Sequence, residues 1–246
     1  MDLMSLASLG ILAAIVPILV LRGEIPPIPF NLHALLLVVG GTAIAILLNT
    51  PQKYIKKSLE GLKLVFFEGE EVSPEKIIPY MVELADNSRK NGLKALKETD
   101  EKIAYGFLKR CCDAALEYGD SGFVKKTIEQ EINQSFDEYS EISNVYRTMS
   151  ILSPMFGLIG TLIGIIGVLK ELSNPETVGP AMATAITSAF YGILLANLVF
   201  VPMAGKIRSR GIMQIKLKTM ILEGILEIMK GSVPLVVERR LKSFNE

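Results

Sequence analysis

Histidine is nearly missing: one residue, His33, in a chain of 246. That scarcity removes paired-histidine metal motifs, and no glycine-rich phosphate loop occurs either. The chain carries no enzyme signature, so no catalysis, metal or organic cofactor is expected of it. Cysteine is scarce as well. Cys111 and Cys112 are neighbours, a spacing that suits neither a structural disulfide nor a complete metal site. They read as reduced helix-core or surface thiols of a cytoplasmic compartment. Net charge is absent, with Lys+Arg 26 against Asp+Glu 26, and without a basic excess nucleic acid is excluded as a partner.

Charge is also absent locally, and this decides the class. Uncharged stretches run from Leu3 to Leu21, Leu32 to Thr50, Thr148 to Leu169 and Val178 to Gly205, each near or above the roughly 18 to 20 residues a helix needs to cross the hydrocarbon core. Four transmembrane helices in contact with membrane lipid are predicted. The first is read as retained and not as a cleaved signal peptide, because no basic residue precedes it and Pro17 interrupts its apolar run. Fifteen of the Lys and Arg residues fall in 51–150 and nine in 206–246, while the connectors around 22–31 and 170–177 hold only Arg22 and Lys170. The positive-inside rule puts the long loop and both termini in the cytoplasm.

Within that loop acidic and basic residues interleave, which describes a folded, solvated domain and no polybasic lipid anchor. Thr50 before Pro51 reads as an N-cap, followed by a stripe at Ile55, Leu59, Leu62 and Phe66. Ser73 and Pro74 repeat the start signal, with Ile77, Met81 and Leu84 as the buried face. Ile103, Phe107 and Cys111, then Val124, Ile128, Ile132, Phe136 and Tyr139, extend the helical period to the third span. After the fourth span, Ile207 to Lys230 reads as an amphipathic helix stopped near Gly231 and Pro234, packing on the loop helices. The fold class is all-α: a polytopic membrane protein with four transmembrane helices and a helical cytoplasmic domain. It divides into a first membrane hairpin (1–50), a cytoplasmic helical domain (51–146), a second membrane hairpin (147–205) and C-terminal cytoplasmic helices (206–246).

The third and fourth spans are unusual in their small residues. Gly157, Gly160, Gly164 and Gly167 share a side of one with Thr161; Ala181, Ala185, Ser188, Gly192 and Ala196 share a side of the other. In lipid, where apolar burial gives helices no drive to associate, such faces permit close approach and interhelical hydrogen bonds. They serve either packing inside the bundle or a face towards a pore or partner. Pro154 and Pro202 each remove an intrahelical hydrogen bond near the cytoplasmic side. Apart from His33, read as an interfacial packing residue, no span holds a side chain that ionises near neutral pH. Proteins that move ions along side chains normally place a carboxylate in the bundle. In an ion pathway, that carboxylate must come from another chain.

Several segments resemble the MotA/PomA family of flagellar stator subunits, in the wider MotA/TolQ/ExbB superfamily. They are Ser153-Pro-Met-Phe-Gly157 through Gly160-Thr-Leu-Ile-Gly164, Gly179-Pro-Ala-Met-Ala183, Tyr191-Gly-Ile-Leu-Leu-Ala-Asn197 with Val201-Pro202, and also Val39-Gly-Gly-Thr42 and Ala85-Asp-Asn-Ser-Arg-Lys-Asn-Gly92. The resemblance covers essentially the whole chain. Two spans before the large cytoplasmic region favour the flagellar branch; the alternative is a proton-driven motor subunit of the ExbB or TolQ kind, which has one.

The resemblance implies a bacterial inner-membrane protein. It would form a homopentamer around a pair of MotB/PomB-like subunits that supply a membrane aspartate, turning H+ or Na+ flow into torque on a rotor switch-complex protein. Carried over by position, Pro154, Thr161, Ser188 and Pro202 belong to the ion pathway and its coupling, and Arg89, Lys90 and Glu98 to the rotor contact. Gly157, Gly160, Gly164, Ala185 and Gly192 are assigned to helix packing with the partner. Lys97 stands where the family usually has an acid and Glu98 follows it; either Glu98 substitutes or the patch is rearranged. Asn31 replaces an aspartate of sodium-type members at the outer mouth, and Ala189 replaces a threonine beside Ser188; both point towards protons.

Overall fold

The structure is a computed structural model that describes residues 18, 21–23, 30–66, 74–99, 103–170 and 175–244. The first expected span, apart from Ile18 and Leu21, and the expected cap at Ser73 lie outside the described residues. Every regular element among the described residues is helical, without strand. In chain order they are α1 (Leu32–Asn49), α2 (Gln52–Phe66), α3 (Pro74–Asn91), two 3-10 turns (Leu93–Glu98 and Ile103–Gly106), α4 (Phe107–Tyr118), α5 (Ser121–Lys170), α6 (Pro175–Leu195), a π-helical turn (Ala196–Phe200), α7 (Val201–Met229) and α8 (Pro234–Lys242). Three stretches among the described residues are long and apolar enough to cross a membrane: Leu32–Asn49, part of Ser121–Lys170, and part of Val178–Met229.

The chain forms two compact units, one from residues 1–68 and 140–208, the other from 69–139 and 209–246. In the first, α1 buries Ala34, Val38, Thr42 and Ile46 along one face, a spacing of four that keeps side chains on one side of a helix. Asn31 caps α1, its Oδ1 accepting from the Ala34 N–H at 3.1 Å. Thr50 terminates this helix, its N–H donating to the Ile46 carbonyl, so it does not start α2 as the sequence suggested. The α2 face also differs from expectation. Leu59 is 63% exposed, whereas Ser58 and Gly61 are buried. A methyl on Gly61 would lie 2.9 Å from Ile142, and Tyr146 Oη donates to the Ser58 carbonyl at 2.6 Å. A small face lets α2 come near α5, and Leu59 is left on the far side.

The second unit has a conventional aliphatic interior. Ile77, Met81, Leu84, Phe107, Leu108, Val124, Ile128, Ile132, Leu217, Ile221, Ile225 and Leu241 are buried in one cluster, so the stripes read on α3, α4, the first part of α5 and α7 meet as expected. Phe136 does not, being 49% exposed. Gly119, at φ 66°, ends α4 with its N–H on the Ala115 carbonyl, and Asp120 Oδ2 then caps α5 by accepting from the Phe123 N–H at 2.9 Å. Gly231 (φ 74°) closes α7, where the Ser232 N–H reaches back to the Glu227 carbonyl at 3.1 Å. Pro234 opens α8, where its fixed φ suits a first turn.

Candidate functional site

The site is built where α5 and α6 run antiparallel at backbone contact. A methyl placed on Gly157 would lie 2.8 Å from the Ser188 carbonyl oxygen, one on Gly164 2.9 Å from the Ala185 backbone nitrogen, and one on Gly192 2.7 Å from the Ser153 carbonyl oxygen. On Gly160 it would meet Ser188 Oγ at 2.5 Å. Glycine is required here because backbone cannot move aside for a side chain. Gly157, Gly160, Gly164, Ala185 and Gly192, assigned from the sequence to packing with a partner, are thus used within the chain to bring α5 and α6 together. Gly41 of α1 faces the Phe156 ring in the same close manner.

This approach places hydroxyls between the helices. Thr161 Oγ1 lies 3.1 Å from its own-helix Gly157 carbonyl and 3.1 Å from the Ala185 carbonyl across the contact. Ser188 Oγ donates to the Thr184 carbonyl at 2.8 Å, and Thr187 Oγ1 to the Ala183 carbonyl at 2.7 Å. Each hydroxyl spends its single hydrogen on a carbonyl and keeps oxygen lone pairs. Thr187 and Ser188 are buried in the contact, whereas Thr161 is partly exposed, so of these three hydroxyls Thr161 is the one open to a cation or a protonated group brought by another molecule.

Asn31 ties α1 to α6 at the start of α1. Its Nδ2 donates to Thr184 Oγ1 at 2.8 Å, and its N–H donates to Tyr191 Oη at 3.2 Å. An amide supplies both the cap acceptor for α1 and the donor for α6; a carboxylate at this position would lose that donor. This bridge joins residues 153 positions apart, and no local sequence signal could have shown it.

Pro154 lies inside α5, which continues through it, and Pro202 follows the π-helical turn Ala196–Phe200 at the start of α7. Pro154 therefore lies on the α5–α6 contact, where its Cα is 3.1 Å from a methyl placed on Gly192, whereas Pro202 lies on the helix that follows α6. Ser153 was missed from the sequence. It is fully buried, and its hydroxyl has no hydrogen-bond partner among the described residues.

The basic pair lies in the other unit. Arg89 and Lys90 are exposed in the last turn of α3, before Gly92 at φ 76°, where cations suit the carbonyl end of a helix. Lys90 is 2.5 Å from Asp86, an exposed pair worth about 0–1 kcal/mol. Glu98 closes the 3-10 turn that follows. Lys97 is exposed, and its carbonyl accepts from Lys109 Nζ at 2.9 Å. In the same unit Cys111 and Cys112 are free and buried. Burial pushes the Cys111 thiol well above its ordinary range and the Cys112 thiol to about 11, although the Thr99 hydroxyl beside Cys112 works the other way.

Two glycine-matched helices with hydroxyls fixed between them, attached to a helical domain, match a known family across residues 96–220. The chain belongs to the MotA/TolQ/ExbB proton channel family. Within this family it is 31% identical to the chemotaxis protein PomA of Vibrio alginolyticus over 246 residues, covering 99% of this chain and 95% of that protein. Its fold is similar to that of C. jejuni MotAB, with a TM-score of 0.88 at 28% identity, covering 99% of this chain and 96% of that one. It is also similar to the flagellar MotAB stator complex from Bacillus subtilis, with a TM-score of 0.82 at 25% identity, covering 93% and 92%. The chain is a stator subunit of the MotA/PomA branch of this proton channel family, and its apolar helices fit an inner-membrane location.

Proposed function

We propose that this chain is the A-type subunit of a flagellar stator. It conducts H+ or Na+ only together with a MotB/PomB-like subunit, whose membrane aspartate meets the hydroxyl-lined α5–α6 face. One observation carries the reading. The contact offers a fixed hydroxyl acceptor at the partly exposed Thr161, with Ser188 buried in the same contact, while no acidic side chain occurs in Leu32–Thr50, Thr148–Leu169 or Val178–Gly205. An ion path needs a titrating group to hand its ion on, and here the partner's carboxylate fills that role. The relatives whose structures are described as MotAB complexes support such a pairing.

In this reading the chain makes four membrane spans with both termini cytoplasmic, assembles as a homopentamer around two partner chains, and carries out no catalysis and binds no cofactor beyond the coupling ion. Pro154 and Pro202 let the helices adopt two arrangements as the partner's aspartate loads and unloads. Torque leaves through Arg89, Lys90 and Glu98 to a rotor protein. Protons are the favoured ion. Asn31 holds α1 to α6 through its amide where a carboxylate would serve sodium, and Ala189 offers no hydroxyl beside Ser188. Single-motor speed of the A/B pair against Na+ concentration and pH tests this. Speed should follow the proton gradient and ignore Na+; rotation that needs Na+ overturns the ion assignment, and a pair that rotates under neither gradient overturns the stator reading.

A further inference from the structure

α2 begins where the apolar span of α1 ends, and its contacts fix its depth. A methyl on Gly160 would lie 3.2 Å from Leu37 Cδ2, and Gly41 lies against Phe156, so α1 and α5 run antiparallel with their residue numbers in step. Carried on, that step sets Asn49 level with Thr148, the first residue of the uncharged stretch of α5, and would set Gly61 level with residue 136. Gly61 instead meets Ile142, and the Ser58 carbonyl accepts from Tyr146 Oη. α2 therefore stops six residues, ~9 Å, short of the depth it would reach in line with α1. It runs aslant, and Gln52 to Gly61 all stay within ~9 Å of the Thr148 level. The headgroup layer of one leaflet is roughly 5–8 Å deep, so this part of α2 lies in it or at its edge.

Charge at this depth is one-sided. The interleaving of acidic and basic residues that describes the loop as a whole fails in its first helix, where Lys53, Lys56, Lys57 and Lys63 stand against Glu60. Ser58 and Gly61 make the buried side of α2, towards α5; Lys53 and Lys56 are exposed, and so is Leu59, one turn beyond Lys56. Arg147, exposed on α5, stands at the same level, one residue before Thr148. Leu47 and Leu48, in the last turn of α1, are exposed too, so lipid-facing apolar surface reaches the very end of the span. Lysine beside an exposed leucine suits a headgroup layer, where the ammonium meets lipid phosphate while its stem and the leucine meet acyl chain.

We propose that the exposed face of α2, centred on Lys53, Lys56 and Leu59, binds anionic phospholipid headgroups of the leaflet in which α1 ends. Lipid is the occupant because the positive excess stands at headgroup depth and continues a lipid-facing span, and juxtamembrane cations attract an anionic surface. The inference uses the membrane placement of the stator reading above and none of its ion chemistry. Bound lipid holds α2 at the boundary, and through Ser58 and Gly61 it sets the depth of α5.

The test places the full chain with its B-type partner in nanodiscs of phosphatidylcholine, with and without phosphatidylglycerol, and follows acylation of individual lysines by a water-soluble reagent with mass spectrometry. Phosphatidylglycerol should slow labelling of Lys53 and Lys56 about fivefold, and high salt should restore it. Lys90 and Lys125, exposed in the other unit, should label alike in both. Fast labelling of Lys53 and Lys56 in both lipids overturns the proposal. Slow labelling in both overturns it as well, since a second copy or the partner chain would then cover the face. In detergent, native mass spectrometry should show short-chain phosphatidylglycerol binding about 25-fold more weakly to Lys53→Gln with Lys56→Gln, the product of two such charges, with phosphatidylcholine unchanged; undiminished binding places the lipid elsewhere and also sinks the idea. Gradient-driven ion flux through the same complex in proteoliposomes checks the stator reading separately. Flux without a lipid preference removes this inference alone, and a lipid preference without flux removes that reading alone.

Discussion

In residues 69–139 and 209–246 the interior is filled by large side chains, Phe107, Met81, Leu108, Ile221 and Ile225 among them, all essentially inaccessible. In residues 1–68 and 140–208 the closest helix contact is made by Gly157, Gly164 and Gly192 against backbone, and its outer faces remain apolar and exposed, as at Leu158, Ile163 and Ile186. The first region is stabilised by removing apolar surface from water. The second, surrounded by lipid, gains nothing that way and relies on fit and on hydrogen bonds such as Thr161 to Ala185. The two regions therefore differ in what holds them: one by large side chains packed in a core, the other by close backbone contact.

Four perturbations sharpen this contrast. The largest effect is on function at the surface of the core-packed region. Arg89→Glu with Lys90→Glu should abolish motility at normal membrane abundance, with partial recovery from an acid-to-base change on the rotor protein; normal swimming, or loss of the protein itself, would place the rotor contact elsewhere in the loop. A single neutralisation should be mild, since rim charges act mainly on encounter and register. Next, Phe107→Ala should cost about 3–5 kcal/mol. Amide exchange should show protection lost in α3 and α4 and retained in α1 and α6. Equal loss in both regions would contradict the division.

The third perturbation is pH. The Cys112 thiol is raised from 9.0 to about 11, foremost by burial. The folded state thus holds this proton more tightly than the unfolded chain, so the contribution is complete below pH ~9 and disappears as pH rises through ~11, by about 3 kcal/mol at most. Denaturation of the wild type against Cys112→Ala across that window should show the difference; parallel curves would remove the thiol from the account. The smallest effect is Gly192→Ala. Its methyl falls 2.7 Å from the Ser153 carbonyl oxygen, and overpacking of this kind costs about 1–3 kcal/mol. Exchange should increase in α5 and α6 beyond residue 148 while α3 and α4 hold.

Much of the water-soluble region was legible in the chain. Ile77, Met81 and Leu84 repeat at helical spacing because they face one core, and Gly231 and Pro234 punctuate helices through backbone conformation that glycine and proline favour. Periodicity failed at Leu59 and Phe136, both exposed. In α2 the small residues Ser58 and Gly61 make the contact, and an apolar stripe carries no information about which face a smaller neighbour wins. In the membrane region the spacing of glycines revealed helices meant to touch, yet spacing alone could not say whether they touch each other or another chain. The Asn31–Thr184 bridge and the stranded Ser153 hydroxyl were illegible for the same reason. Each depends on what a helix far away in sequence brings alongside, and no local pattern encodes that.

Ion flux through proteoliposomes tests the central claim most directly, comparing this chain alone with the chain assembled with a B-type partner. The account predicts no flux above lipid background from the chain alone, because its described membrane helices hold no carboxylate, and gradient-driven flux from the assembled pair that disappears when the partner's membrane aspartate is replaced by asparagine. Ion flux from this chain by itself would contradict it.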